Sequence, residues 1–228
     1  MDEILSPSCM SPEDLRQFLQ PGFDPEAKRR AVNEGRLLAK GLPVSPGVTS
    51  GRIKLHADDA EAWVHRYGKG NPEGRVILVR EIKPEDIRGI MAATGILTAT
   101  GDASSHTALV SQQLGKVCIV GCNVLNTDYA KGTISVEEKV LKEGDWLSID
   151  GYSGEVFAGQ LPIRTPDVID VLLAKSMRPE QSIVYQQFAE IMSWADSHRK
   201  LRVRANADLP RQAEAAIAFG AEGIGLCR

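Results

Sequence analysis

Short apolar runs separated by turn residues dominate the middle of the chain. Runs of about four to eight residues rich in Val and Ile, bounded by Gly, Pro or Asp, predict strands. They occupy residues 48–55, 75–80, 95–98, 117–120, 133–140, 146–150 and 155–158. Helical patterns stand between them at residues 84–93 and 105–114. Strands and helices mixed in this way predict one compact α/β domain over residues 41–160.

Helical patterns flank this domain. A Ser cap at Ser11, with Pro next and two acids behind it, predicts a helix, and Pro25 opens another that runs to about Leu38. A connector that contains Pro at 161–166 precedes a helix over 178–198. The tail has the pattern strand, helix, strand at 201–204, 210–219 and 223–226, which is typical of the opening of a parallel βα repeat. We therefore predict a helical lead-in over 1–40, a helical linker over 161–200 and a βαβ piece over 201–228.

Charge and composition exclude several classes of function. The 30 acidic and 27 basic residues are interspersed and leave a formal net charge of -3, so the chain lacks the basic stripe of a nucleic-acid binder. No apolar run approaches the roughly 20 residues that cross a bilayer. The polar start lacks the basic and apolar regions of a secretory signal. We expect a cytoplasmic protein with no nucleic-acid or membrane partner.

The four cysteines favour reduced, buried thiols. Cys118 and Cys122 lie four residues apart, and neither His nor Cys follows them at zinc-finger spacing. A metal site or a disulfide stays open as the alternative.

The stretch that carries chemistry is residues 95–110, GILTATGDASSHTALV. An apolar strand ends in a loop of small residues, and His106 then opens an amphipathic helix. Backbone N–H groups at a helix start lie at the positive end of the helix dipole and stabilise an anion. A neutral imidazole nitrogen is a nucleophile toward a phosphoryl group, and Gly101, Ser104 and Ser105 are small enough to admit a donor. Spacing alone also allows His106 to be a capping or packed residue.

Three motifs resemble the phosphohistidine signature of the phosphoenolpyruvate (PEP)-utilising enzymes: GILTxxG at 95–101, SSH at 104–106 and GKVCIVG at 115–121. This family includes the pyruvate, phosphate dikinases, the PEP synthases and enzyme I of the sugar phosphotransferase system. The resemblance implies an α/β fold with a swivelling β/β/α phosphohistidine domain, helical linkers that act as hinges, and a C-terminal βαβ stub of a TIM barrel. It also implies that His106 is catalytic and carries the phosphoryl group. Gly101, Ser104 and Ser105 would then form the phosphate pocket.

Further segments are similar to those of the dikinases. They are LQPGFDP at 19–25, KGLPVSPG at 40–47, KEGDWLS at 142–148, GYSGEV at 151–156, NAD at 206–208 and GAEGIGLCR at 220–228. The resemblance implies a role in the interconversion of ATP, phosphate and pyruvate with AMP, diphosphate and PEP, with Arg228 as a substrate-binding residue. The Leu-Cys-Arg ending disfavours a phosphocarrier of the sugar phosphotransferase system, which usually has tyrosine in place of Cys227.

The implied enzyme needs further parts. An ATP-grasp nucleotide domain for ATP and phosphate and a complete PEP/pyruvate barrel would be partners, in the same chain or in trans. We expect Mg2+ for the full enzyme, but no cofactor and no metal ligand in this chain, which alone would not complete the reaction. The linkers over 26–40 and 161–198 would act as hinges, because a carrier must travel between two remote sites.

Two residues depart from the family pattern. Asp102 stands where a second glycine is usual, and Gln112 stands where an arginine is usual. These changes add a like charge and remove a counter-charge if the side chains lie near a phosphohistidine, which favours a catalytically degenerate, regulatory or assembly module as the alternative function. If both side chains face water, they matter little.

Ser104 stands where some dikinases carry a regulatory threonine, so it is either a phosphorylation site that would repel phosphate on His106 or a simple helix cap.

Overall fold

The computed structural model of the chain describes residues 18–68, 70–81 and 83–227. The helix predicted from Ser11 falls almost wholly outside these ranges, and Arg228 also lies outside them. The chain divides into two compact units, of which Pro21–Arg164 is the larger, and the described residues outside that range form the other. The larger unit therefore begins well ahead of residue 41.

The larger unit mixes strands and helices along the chain. In order they are β1 (Gly22–Phe23), α1 (Pro25–Asn33), β2 (Leu37–Lys40), β3 (Leu42–Ser45), β4 (Val48–Lys54), α2 (Ala57–Tyr67), β5 (Val76–Val79), α3 (Ile87–Ala92), β6 (Gly95–Leu97), α4 (His106–Gln113), β7 (Val117–Val120), β8 (Asn126–Asp128), β9 (Thr133–Val136), β10 (Lys139–Lys142), β11 (Trp146–Asp150), β12 (Glu155–Ala158) and β13 (Ile163–Arg164).

Eight of these strands form one mixed sheet in the order β2-β12-β11-β4-β5-β6-β7-β3. β4, β5, β6 and β7 are parallel neighbours, and one helix connects each of them to the next. Such connections are right-handed, so α2, α3 and α4 lie on one side of the sheet. Strands β10, β9 and β8 form a separate antiparallel sheet.

Side chains that alternate along the central strands supply two hydrophobic cores. Ile77 of β5 belongs to the cluster that contains Ile134 of the small sheet. Its neighbour Val76 belongs to the cluster that contains Val64 of α2. Because successive side chains of a strand face opposite sides, the small sheet and the helices cover opposite faces of the large sheet. The mixed α/β class is confirmed, with layers in the order β, β, α.

The segments that enter and leave the larger unit are tied to it. Phe23 of β1 pairs with Ile163 of β13, and β2 extends the large sheet beside β12. The ammonium of Lys28 in α1 lies 2.5 Å from a carboxylate oxygen of Asp150 and 2.6 Å from one of Glu155. Residues 26–40, which the resemblance implied to be a hinge, therefore pack as part of this unit.

Two buried serines hold the exit segment. The hydroxyl oxygens of Ser50 and Ser148 lie 2.7 Å apart. Ser148 Oγ accepts the N–H of Leu161 at 3.0 Å and donates to the carbonyl of Gly159 at 2.8 Å. The chain after β12 is thereby fixed across β4 and β11.

The second unit contains α5 (Asp167–Leu172), α6 (Ile183–His198) and α7 (Pro210–Ala218). The helix predicted over 178–198 is confirmed, with a 3-10 turn at Pro179–Gln181 ahead of α6. The strands predicted at 201–204 and 223–226 do not form, and a single parallel bridge joins Ala205 and Ile224. A parallel pair without neighbouring strands buries too little apolar surface to be regular, and Leu201 is 83% exposed. The predicted TIM-barrel stub is therefore not confirmed.

Other elements differ locally from the sequence prediction. The helix from Pro25 ends at Asn33, because Gly35 at φ 68 turns the chain into β2. The single strand predicted over 133–140 is a hairpin of β9 and β10, with Glu137 at φ 53 in its turn. Across the described residues, no helix has the length and apolar character that a membrane crossing requires.

Candidate functional site

His106 lies at the carboxyl edge of the parallel strands. β6 ends at Leu97, residues 98–105 form a loop, and His106 is the exposed first residue of α4. In open α/β sheets, ligands bind outside the carboxyl ends of parallel strands. The topology therefore places the predicted nucleophile where a ligand could reach it.

The loop after β6 is shaped by its neighbour after β7. Thr98 is buried, and its hydroxyl donates to the carbonyl of Thr100 at 2.5 Å. The N–H of Gly121 donates to the same carbonyl at 3.2 Å. Gly101 has φ 96, and a Cβ built on Gly121 would lie 3.0 Å from the carbonyl oxygen of Gly101. Glycine is needed at both positions, because both have a positive φ and Gly121, at φ 68, also approaches the Gly101 backbone closely.

Ser105 caps the helix that His106 opens. Its side chain accepts the N–H of Ala108 at 3.3 Å, and its carbonyl accepts the N–H of Leu109 at 3.1 Å. Thr107 and Ala108 are buried while His106 is exposed, so packing of the first turn holds the imidazole toward solvent. The positive end of the helix dipole at this place favours a negative charge on or beside the ring.

Asp102 binds the loop residue just ahead of the cap. Its carboxylate accepts the N–H of Ser104 at 2.8 Å and the hydroxyl of Ser104 at 2.7 Å. The carbonyl of Asp102 accepts the N–H of Ser105 at 3.1 Å. The Ser104 hydroxyl, followed by the Ser104 and Ser105 N–H groups, lowers the pKa of Asp102. The carboxylate is therefore ionised near neutral pH.

Gln112 faces away from this loop. Its side-chain amide donates to the carbonyl of Val44 in β3 at 2.6 Å. Gln112 lies six positions after His106, which corresponds to about 9 Å along a helix axis. Gln112 thus helps to attach α4 to the sheet edge.

The predicted phosphate-pocket residues Gly101, Ser104 and Ser105 lie with His106 in one loop and helix start. The predicted Arg228 lies outside the described residues, so its role stays a prediction.

Sequence reasoning missed Thr98 and a neighbouring cavity of about 470 Å3. The cavity is lined by Val79, Arg80, Glu81, Lys83, Ala99, Thr127 and Tyr129. The run of charged residues directly after β5 was the available signal, because it marks the carboxyl end of a parallel strand.

Among the described residues, no group of three or more His, Cys, Asp or Glu side chains is placed to hold a metal ion. The Mg2+ that the resemblance implies for the full enzyme stays a prediction. Cys118 and Cys122 are free and buried, and burial raises the pKa of each thiol to about 11.

Comparison with known proteins places these residues in a family. Residues 71–154 match the PEP-utilising enzyme, mobile domain, and residues 184–228 match the PEP-utilising enzyme, PEP-binding domain. Pyruvate, phosphate dikinase 2 of Oryza sativa subsp. japonica is 43% identical over 220 residues, which cover 96% of this chain and 22% of that protein. The chloroplastic pyruvate, phosphate dikinase of Mesembryanthemum crystallinum is 42% identical over 230 residues, 100% of this chain and 21% of that protein. The chain thus spans about a fifth of the length of the curated relatives it matches.

Solved structures are more distant. Thermococcus kodakaraensis aconitase X is 16% identical at a TM-score of 0.33, covering 54% of this chain and 98% of that chain. The enzyme I protein nEIt is 20% identical at a TM-score of 0.27, covering 53% and 38%. Scores this low carry no conclusion about the fold. The loop that bears His106 lies inside the mobile-domain match, and the relatives described above are named pyruvate, phosphate dikinases. The chain belongs to the PEP-utilising enzymes.

Proposed function

We propose that this chain is the phosphoryl-carrying segment of a pyruvate, phosphate dikinase, with His106 as the residue that holds the phosphoryl group. The observation that carries the proposal is the position of His106. It is the exposed first residue of α4, at the carboxyl edge of the parallel strands and inside the match to the mobile domain.

The chemistry follows from the imidazole and its surroundings. A neutral ring nitrogen attacks the phosphorus of PEP, an N–P bond forms, and the P–O bond to enolpyruvate breaks with its electron pair on oxygen. The ring releases its N–H proton, and the enolpyruvate takes up one proton at carbon to become pyruvate. Splitting transfer into two such steps is the function of a covalent carrier. The helix dipole and the Ser105 cap at the start of α4 support the dianionic product.

The rest of the reaction belongs to partners. In the proposed dikinase, ATP and phosphate bind an ATP-grasp domain, and pyruvate or PEP binds the barrel, each in the same chain or in trans. Mg2+ would be held by those parts. Arg228 stays a proposed contact to PEP.

Labelled PEP tests the proposal directly. The full chain is mixed with a separately produced dikinase barrel and PEP labelled in its phosphoryl group, and label that is acid-labile and base-stable is measured. We expect one label per chain in the unchanged protein and none in His106→Ala. His65→Ala is the matched control, because His65 is an exposed histidine of the same unit on α2, and it should keep the label. A folded chain that takes no label from an active barrel would refute the proposal.

A second candidate is a non-catalytic module of the same fold that serves in assembly or regulation. Asp102 favours it, because its carboxylate is held in the turn that precedes His106. Binding of the chain to a barrel or an ATP-grasp domain without transfer of label would support this candidate.

A further inference from the structure

The turn that precedes His106 contains the carboxylate of Asp102, which accepts hydrogen bonds from Ser104. The hydrogen bond from the Ser105 N–H to the Asp102 carbonyl closes a four-residue turn. The ends of such a turn lie within about 7 Å, and neighbouring Cα atoms are about 3.8 Å apart. The Cα atoms of Asp102 and His106 are therefore within roughly 11 Å of each other.

The carboxylate accepts both donors of Ser104, a residue of the proposed phosphate pocket. Both the N–H and the hydroxyl of Ser104 donate to the same Asp102 oxygen, at 2.8 and 2.7 Å. Within the described ranges, none of the ion pairs includes Asp102, so its charge is not offset by a lysine or arginine. Asp102 is fully exposed and ionised, and its field reaches an anion that approaches through solvent.

We infer that Asp102 slows the arrival of a phosphoryl group at His106, by occupying the Ser104 donors and by placing a like charge in the same turn. This inference rests on the proposed role of His106. Asp102 acts as a positioning residue whose charge lowers the rate of phosphoryl transfer to His106. It contacts Ser104 and not the reacting atoms.

Asp102→Asn removes the negative charge of the side chain and keeps its size. The asparagine oxygen can still accept from Ser104, so the turn is retained while the charge is lost. Asp102→Gly removes both the charge and the competing acceptor. Asp128→Asn is the control, because Asp128 is a half-exposed aspartate whose carboxylate also accepts a backbone N–H, that of Lys131 at 3.0 Å.

Phosphoramidate is the probe, because it phosphorylates histidine without a partner domain. The imidazole nitrogen forms the N–P bond, the bond from phosphorus to the amino nitrogen breaks, and the amino group leaves as ammonium with the proton that the ring releases. Phosphohistidine formation in the full chain is followed by 31P NMR at low and high salt, with His106→Ala as the blank.

We expect Asp102→Asn to accept phosphate roughly threefold faster than the unchanged chain at low ionic strength, since one charge at about 10 Å acts on an anionic donor. The ratio should fall toward 1 at about 1 M salt, where the screening length is roughly 3 Å. Asp102→Gly should be at least as fast as Asp102→Asn, and Asp128→Asn should match the unchanged chain. A purely structural role for Asp102 would not produce the salt dependence.

Equal or slower labelling of Asp102→Asn at low salt, or no labelling of either protein, would overturn the inference. The test is independent of the labelled-PEP experiment. A chain that takes no label from PEP but is labelled faster by phosphoramidate after Asp102→Asn would refute the proposed dikinase function and keep this inference.

Discussion

Lys28→Met removes the cation that two carboxylates share in the larger unit. The side chains of Asp150 and Glu155 are only 8% and 21% exposed, and each lies within 2.6 Å of the Lys28 ammonium. Without it, Asp150 retains the N–H groups of Tyr152 and Ser153 as donors. Breaking a buried ion pair costs roughly 3–5 kcal/mol and a surface pair below about 1 kcal/mol. We expect an intermediate loss of about 2 kcal/mol.

The loss should depend on pH in a defined direction. Burial alone would raise the pKa of Asp150, but the hydrogen bond and charge of Lys28 and two backbone N–H groups outweigh it and lower the pKa. Burial and Lys28 oppose each other in the same way at Glu155, and its pKa is also lowered. A carboxylate of this kind stabilises the fold above its unfolded pKa of about 4 and loses that contribution as pH falls through the folded pKa. The difference between the unchanged chain and Lys28→Met should be complete at pH 7 and shrink below about pH 4.

Urea unfolding of the full chain measures this difference. A Trp194→Phe background leaves Trp63 and Trp146, both in the larger unit, as the fluorescent reporters. For a domain of this size, about 2 kcal/mol corresponds to a fall in Tm of roughly 4–8 °C. Arg29→Met is the control, since Arg29 is exposed on the same helix, and it should change stability by less than about 0.5 kcal/mol. Equal losses in the two variants, or a Lys28→Met loss that grows on acidification, would refute the reasoning.

Three further changes test local features of the larger unit. Ser105→Ala removes the N-cap of α4 and should lower the free energy of unfolding by about 1 kcal/mol in the same assay, whereas Ser105→Asp should retain most of it. The buried thiols of Cys118 and Cys122 have pKa values raised to about 11, so they should resist iodoacetamide at pH 8 until urea unfolds the chain. Mass spectrometry follows the alkylation, and rapid alkylation of the native protein would contradict the burial of the two thiols. Ser148→Ala should lower the free energy of unfolding by roughly 1–3 kcal/mol and speed the hydrogen exchange of the Leu161 amide, because the Leu161 N–H loses Ser148 as an acceptor. An unchanged exchange rate would show that this hydrogen bond does not fix the exit segment.

The candidate site was predictable because it is local in sequence. The strand, the small-residue loop and the helix that Ser105 caps are adjacent in the chain, and their boundaries follow from apolar runs and capping chemistry. The hydrogen bond of Asp102 to Ser104 spans two residues and is a pattern that aspartate forms readily in turns. The role of Arg228 depends on the resemblance alone.

The sequence by itself determined the four central strands, the helices α3 and α4 and the position of His106 after a strand end, because periodicity and capping act over a few residues. It did not predict α2 or the parallel pairing of the strands. Only the tertiary structure decided which distant groups meet: Lys28 with Asp150, 122 residues apart, and Gln112 with the Val44 carbonyl, 68 residues apart. It also decided that residues 26–40 pack into the domain and that the predicted tail strands reduce to one bridge at Ala205. Such outcomes depend on which apolar surfaces are available for an element to pack against. A strand without neighbouring strands buries too little apolar surface to offset the conformational entropy that is lost on ordering it.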